Sequence, residues 1–224
     1  MAYNNCKDYN AFQEAGLTDA YETIGDYNLF MVCEMLNRSA FCELPEGYSF
    51  RLCKRDELEI WKRIVAEEQY APYVMSFYKK VYEKNEDEFF RQCTFVCDAF
   101  DKPVASCFLW LSYGKINTVG WFRVLPEHEG KGLGRALLSY ILKIAVCPVY
   151  LHTQPTSICA IKLYSDFGFK LITNQVIGYR KNDLIESLPY MQKVMNEADY
   201  AKLRFIEVDD SLHKVALLSE AAEF

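Results

Sequence analysis

The chain has 224 residues, 51% of them hydrophobic and 15% aromatic, which suits a core-forming globular protein and excludes a disordered one. A net charge of −6 argues against general nucleic-acid binding, which shows a basic excess, so no nucleic-acid partner is expected. Nine cysteines without a CxxC pair, a start (MAYNNCKDYN) without basic or apolar leader regions, and no run of about 18 apolar residues together predict a reduced, cytoplasmic protein without a membrane span. Cys93 and Cys97 lie four apart without a histidine cluster, so no metal is expected.

In chain order, the segment TDAYETIGDYNLFMVCEMLNRSA (18–40) reads as an amphipathic helix opened by Thr18 or Asp19. Residues 1–47 as a whole are expected to be a helical N-terminal extension. After the turn LPEGYSF, a strand is expected in YSFRLCK, followed by a helix over ELEIWKRIVAEE. Asp56 caps that helix, and Leu58, Trp61, Ile64 and Val65 share one of its faces. A second helical stretch, PYVMSFYKKVYEKN, carries Tyr73, Phe77, Tyr78 and Tyr82. CTFVCDA, PVASCFLWLSY and NTVGWFRVL then read as three strands of an antiparallel meander.

After a glycine-rich loop, a helix follows with Leu133, Leu137, Tyr140, Ile141 and Ile144 in register. The strand VYLHT comes next, and then a helix, SICAIKLYSDF, with Ser157 at its N-cap and Gly168 as its stop. KLIT and VIGYRK close the set as strands. This order predicts an α/β fold: a mixed, mostly antiparallel sheet with helices on both faces. The tail from Asn182 to Phe224 reads as a partly helical C-terminal extension, packing as a homodimer surface or as a cover over the core.

The loop VLPEHEGKGLGRALL, residues 124–138, is the main chemical signal. Gly130, Gly132 and Gly134 let the backbone curl and approach an anion at the start of a helix. A Walker A loop needs GxxxxGK followed by Ser or Thr, and here Gly132 follows Lys131. A dinucleotide fingerprint needs GxGxxG directly after a strand, with an acidic residue about 20 positions on. This loop is separated from its strand by LPEHE, and the next strand ends in His152 without an acid.

The strand ending V-x-P, the run G-x-G-x-G-x-A-L-L and the later LHTQPTSICAIKLYSDFGF resemble motifs A and B of the GNAT superfamily of N-acetyltransferases. In the second motif Ala160, Leu163, Tyr164, Gly168 and Phe169 fall on pattern. The resemblance covers about 48–181 and implies the GNAT fold, with its sheet splayed at the cofactor strand. It also implies acetyl-CoA as co-substrate and a primary amine, on a small molecule or a peptide, as acceptor. On this resemblance the backbone of Phe122, Arg123 and Val124 meets the acetyl carbonyl and pantetheine, with Gly120 marking a bulge. Gly130, Lys131, Gly132, Leu133, Gly134 and Arg135 hold the pyrophosphate, and Glu129 stands where the family more often has glutamine or arginine.

Tyr164 corresponds to the family's acid for the departing thiolate; as a phenol of pKa about 10 it is protonated at neutral pH. The alternative is an aromatic that fills the core. Ser157 replaces the family's asparagine near the pantetheine. His152 sits where several members place a general base; the alternative is a histidine held at a strand end. Tyr73, Phe77 and Tyr78 are the expected acceptor contacts. The competing functional reading is a non-catalytic acyl-CoA-binding or protein-interaction module on the same fold.

Overall fold

In the computed structural model the described residues are 24–209, 211–219 and 222–223. The strands are β1 Leu29–Cys33, β2 Ser49–Leu52, β3 Thr94–Cys97, β4 Pro103–Ser112, β5 Ile116–Val124, β6 Val149–Thr153, β7 Lys170–Ile172, β8 Val176–Ile177, β9 Arg180–Lys181 and β10 Phe205–Ile206. The helices are α1 Leu58–Val65, α2 Ala71–Phe77, α3 Glu86–Gln92, α4 Leu133–Leu142, α5 Ile158–Asp166, α6 Leu184–Val194, α7 Glu197–Tyr200 and α8 Ser211–Leu217. The pairs β1–β6, β1–β7, β2–β3, β3–β4 and β4–β5 are antiparallel and β10 runs parallel to β7, giving the mixed, mostly antiparallel α/β architecture the sequence implies.

The chain divides into two compact units. One holds the described residues up to Ser39 together with the described residues of 147–222; the other holds Ala40–Val146 with Glu223.

In the first unit the strand order is β10-β7-β1-β6. The helix expected over 18–40 is replaced in its centre by β1, and residues 18–23 lie outside the described ones. LFMVC is a continuous apolar run without helical period, and all five residues are buried between β6 on one side and β7 on the other. A strand covered on both faces reads as such a run, so periodicity could not reveal it. VIGYRK forms a small separate hairpin, β8 with β9.

In the second unit the order is β5-β4-β3-β2: the expected three-strand meander, β3 to β5, with β2 antiparallel beside β3. Helix α1 buries Trp61, Ile64 and Val65 in an aromatic core with Tyr78, Tyr82, Phe89, Phe95 and Phe108. Asp56 does not cap this helix. A 3-10 turn, Arg55–Glu57, comes first, and Glu57 accepts the Lys54 N–H at 2.9 Å. The same carboxylate takes both terminal nitrogens of Arg51, at 2.7 and 2.9 Å, which holds it below the usual carboxylate range. In α4, Tyr140 is exposed and stacks on Phe50 at 4.3 Å between ring centroids, while Ile144 lies beyond the helix end and is exposed.

The buried cysteines are Cys33, Cys53, Cys93, Cys97 and Cys107, acting as small apolar side chains. Among the described residues no group of three His, Cys, Asp or Glu is placed to hold a metal, and no helix is long and apolar enough to cross a membrane.

Candidate active site

In the second unit, β5 leads into the glycine loop. The β4–β5 register runs Ser106↔Arg123 and then Phe108↔Gly120, so Trp121 and Phe122 oppose the single residue Cys107. This is a bulge, adjacent to Gly120 as the sequence suggests. Two local facts enforce it. A Cβ at Gly120 would come within 3.0 Å of the Phe108 ring, and Trp121 has φ +50°, which side chains rarely adopt. Phe122, Arg123 and Val124 follow on the half-buried end of the strand.

The loop proper starts with a 3-10 turn, Pro126–His128, closed by the His128 and Glu129 N–H groups donating to Leu125 and Pro126 oxygens. Tyr48 Oη lies 3.2 Å from His128 Nδ1 and ties the turn down. Gly130 and Gly132 then take φ of +73° and +82°, the left-handed region where a Cβ is penalised. Gly132 is the N-cap of α4, and the first intrahelical bond is the Ala136 N–H to the Gly132 oxygen at 3.1 Å. The amides of the first turn, Leu133 to Arg135, therefore have no carbonyl four residues back within the helix, and they face outward from its positive end.

The two basic side chains are turned to backbone carbonyls. Lys131 Nζ donates to the Glu127 oxygen at 2.9 Å, and Arg135 Nη1 to the Ala40 oxygen at 3.3 Å. The helix is further fixed by Ser139, which donates to the Arg135 oxygen and accepts the Cys42 N–H. What this unit offers an anion is thus backbone N–H groups, in a curl that glycine alone makes easy. Glu129 is exposed beside it.

Of the three expected acceptor contacts, Tyr73 is 42% exposed and Phe77 half-buried. Tyr78 is corrected: it is buried against Trp61 and Phe89, and its hydroxyl donates to Glu86 at 2.8 Å, so it cannot line an open wall. A π-turn over Tyr78–Tyr82 brings Tyr82 round to the Trp121 indole, whose Nε1 donates to the Tyr82 hydroxyl at 2.9 Å.

The first unit holds His152, Ser157 and Tyr164. The motif around Tyr164 is a helix stop. Gly168, with φ +99°, lets the Phe169 N–H reach the Tyr164 oxygen at 3.1 Å and the Gly168 N–H reach Ser165 at 3.0 Å. The Phe169 ring packs 5.9 Å from the Tyr164 ring, completing that stop. A Cβ on Gly168 would lie 2.8 Å from the Met35 oxygen, a second reason for glycine. Tyr164 itself is buried. Ser157 occupies the N-cap of α5, but its side chain makes no capping hydrogen bond.

His152 is held on both sides. Nε2 lies 2.9 Å from Asn28 Oδ1, and Arg180 Nη1 lies 3.4 Å from Nδ1. Because the Asn28 oxygen only accepts, Nε2 carries the proton and Nδ1 faces the guanidinium. Burial, reinforced by the charge of Arg180, lowers the ring to about 3. Protonating Nδ1 would set a second cation against Arg180. The expected general base is therefore, in this arrangement, a neutral strut between β6 and its surroundings.

Sequence reasoning gave Trp121 no role of its own and passed over Asn28 and Arg180. A positive φ on tryptophan leaves no compositional mark, and the two partners of His152 stand 124 and 28 residues away in the chain.

Among protein families, the chain matches the model of the acetyltransferase (GNAT) family over residues 58–169, half of its length. No curated protein matches it. Solved structures similar to it include a GCN5-related N-acetyltransferase from Sphaerobacter thermophilus, at 19% identity, covering 64% of this chain and 48% of that one, with a TM-score of 0.49. A functionally unknown conserved protein from Staphylococcus epidermidis shares 15% identity, over 70% and 63% of the two chains, with a TM-score of 0.46. A glucosamine N-acetyltransferase region of a fungal multi-domain β-N-acetylglucosaminidase shares 14%, over 75% and 22%, with a TM-score of 0.44. The chain spans less than two thirds of each of these structures. On the family match over both motifs, the chain belongs to the acetyltransferase (GNAT) family.

Proposed function

We propose that the chain is an N-acyltransferase that moves an acetyl group from acetyl-CoA to a primary amine by direct attack in a ternary complex. The observation that carries this reading is the left-handed curl at Gly130 and Gly132 opening onto the first turn of α4, inside the matched family region. Its residues fit a pyrophosphate: glycine at both positive φ angles, first-turn amides at the positive end of α4, and basic side chains directed to backbone carbonyls. The amides of Gly130, Lys131, Gly132, Leu133, Gly134 and Arg135 would hold it.

Acetyl-CoA supplies an activated thioester. The chain supplies position and polarity. The bulge leaves Trp121 and Phe122 out of one-to-one pairing with β4, which suits backbone of Phe122–Val124 for orienting the acyl group and pantetheine. Ser157, with no capping bond to make, has a hydroxyl to offer the pantetheine. Tyr164 holds a proton on its hydroxyl for the departing sulfur. His152 takes no part in proton transfer, since its Nδ1 lone pair already faces the Arg180 guanidinium.

The test is thiol release from acetyl-CoA with a panel of primary amines. Amine-dependent release is expected. CoA binding without any amine raising release above hydrolysis would favour a non-catalytic acyl-CoA-binding module instead.

A further inference from the structure

Trp121 sits in the bulge of β5 with φ +50°, an angle that is costly for a bulky side chain, so contacts outside the strand must hold it there. Its ring makes them. The indole Nε1 donates to the Tyr82 hydroxyl at 2.9 Å, and the ring packs edge-on against Phe77 and Trp61, at 5.5 and 5.7 Å between centroids. Phe77 and Trp61 would accept any aromatic ring at this position. The Tyr82 hydroxyl is the contact that uses the indole N–H.

Tyr82 is itself buried, and it stands edge-on to Trp110 at 4.8 Å and to Phe108 at 5.4 Å. Phe108 is the ring that a Cβ on Gly120 would strike. Tyr82 therefore braces two successive positions of the bulge, Gly120 through Phe108 and Trp121 through the hydrogen bond. The π-turn of Tyr78–Tyr82 carries it to this place, and burial raises its phenol above the usual range, which keeps it neutral. The pairing is selective. The Trp61 and Trp110 rings also lie against Tyr82, yet their buried indole nitrogens have no hydrogen-bond partner, and the hydroxyl goes to Trp121.

We propose that Tyr82 is a positioning residue for acyl transfer: through the Trp121 indole it holds β5 in its bulged register and so sets the backbone of Phe122–Val124. Without that bond Trp121 relaxes toward an extended φ, the two-against-one register beside Cys107 slips, and the residues that follow turn relative to β4. The glycine loop is fixed separately, by the angles of Gly130 and Gly132 and the ties of Tyr48 and Ser139, so anion binding does not depend on this bond. The effect on catalysis rests on the proposed transferase reading; the hold on the strand does not.

The experiment compares Tyr82→Phe, Trp121→Phe and the double variant of the full chain. It reads thiol release from acetyl-CoA with propylamine, 2-phenylethylamine and spermidine as acceptors, calorimetric binding of CoA, and backbone amide shifts. Each single variant should lower kcat about 30-fold while the Kd for CoA stays within about twofold. The double variant should lose no more than either single one, because both remove the same bond. In Tyr82→Phe the amides of Phe122–Val124 should shift and those of Gly130–Arg135 should not. Unchanged kcat in Tyr82→Phe, losses that multiply in the double variant, or unmoved amides at Phe122–Val124 would overturn the proposal. So would a CoA affinity that falls together with kcat, the mark of a general loss of structure. If the parent releases no thiol with any of the amines, the transferase reading fails instead, and the amide shifts alone decide whether Tyr82 holds the strand.

Discussion

The loop from Pro126 to Arg135 and the end of β6 around His152 both present polar residues beside glycine-bearing motifs, and in sequence each looks like a place for chemistry. They differ in how their hydrogen-bonding groups are spent. Around His152 every ring nitrogen has a partner, and Asn28 is itself held: its N–H donates to Asp183 and the Asp183 N–H donates to the Asn28 oxygen. In the loop the side chains of Lys131 and Arg135 donate to carbonyls, while the first-turn amides lie at the positive end of α4 with no carbonyl four residues back within the helix. A titratable side chain in a suggestive position can thus be scaffold, and a backbone that looks like mere connection can be the binding group.

The largest expected effect breaks the loop side of this contrast. Gly132→Val places a branched side chain at φ +82° and misaligns the following amides, so CoA binding should weaken about 100-fold in calorimetric titration. An unchanged dissociation constant would mean that the curl is not the anion site. Next comes the hydroxyl of the other unit for which we propose proton donation: Tyr164→Phe should lower turnover about 100-fold with little change in the KM for acetyl-CoA. Equal turnover would reduce Tyr164 to its part in the helix stop.

How much of this was legible in the sequence follows from the kind of constraint involved. Gly130, Gly132 and Gly168 could be read because positive φ and close backbone approach demand glycine, which is visible as a letter. The meander of β3 to β5 was legible from strand-like runs between short turns. The strand β1 was not, because burial on both faces erases the period. Trp121 carries no local signature at all. Its meaning comes from a backbone angle. Tyr78 and Tyr82 lie on one helical stretch, but the π-turn shifts the register that regular spacing would assign to them.

Smaller effects sharpen the contrast. His152→Gln should leave the pH profile of turnover unmoved, whereas a catalytic base there would shift it. Because the folded ring is lowered to about 3 against about 6.5 for an unfolded histidine, its contribution to stability is present above pH 6.5 and is lost as pH falls toward 3. His152→Gln should flatten that part of the stability curve, measured by denaturant unfolding between pH 7 and 3; an unchanged acid limb would show the ring to be freely protonated. Smallest is Glu129→Gln. Removing an exposed negative charge beside the loop should tighten CoA binding about twofold, with the gain shrinking in high salt. No change in affinity at low salt would remove Glu129 from the loop's electrostatics.

The central claim is that backbone amides at the start of α4 hold the anionic part of acetyl-CoA while His152 stands aside. Amide and imidazole nitrogen shifts recorded during a titration with CoA test both halves at once. The account expects the largest amide shifts at Gly130 to Arg135, with His152 remaining the neutral Nε2-protonated tautomer throughout. Silent loop amides, or a His152 ring that takes up a proton as CoA binds near neutral pH, would contradict it.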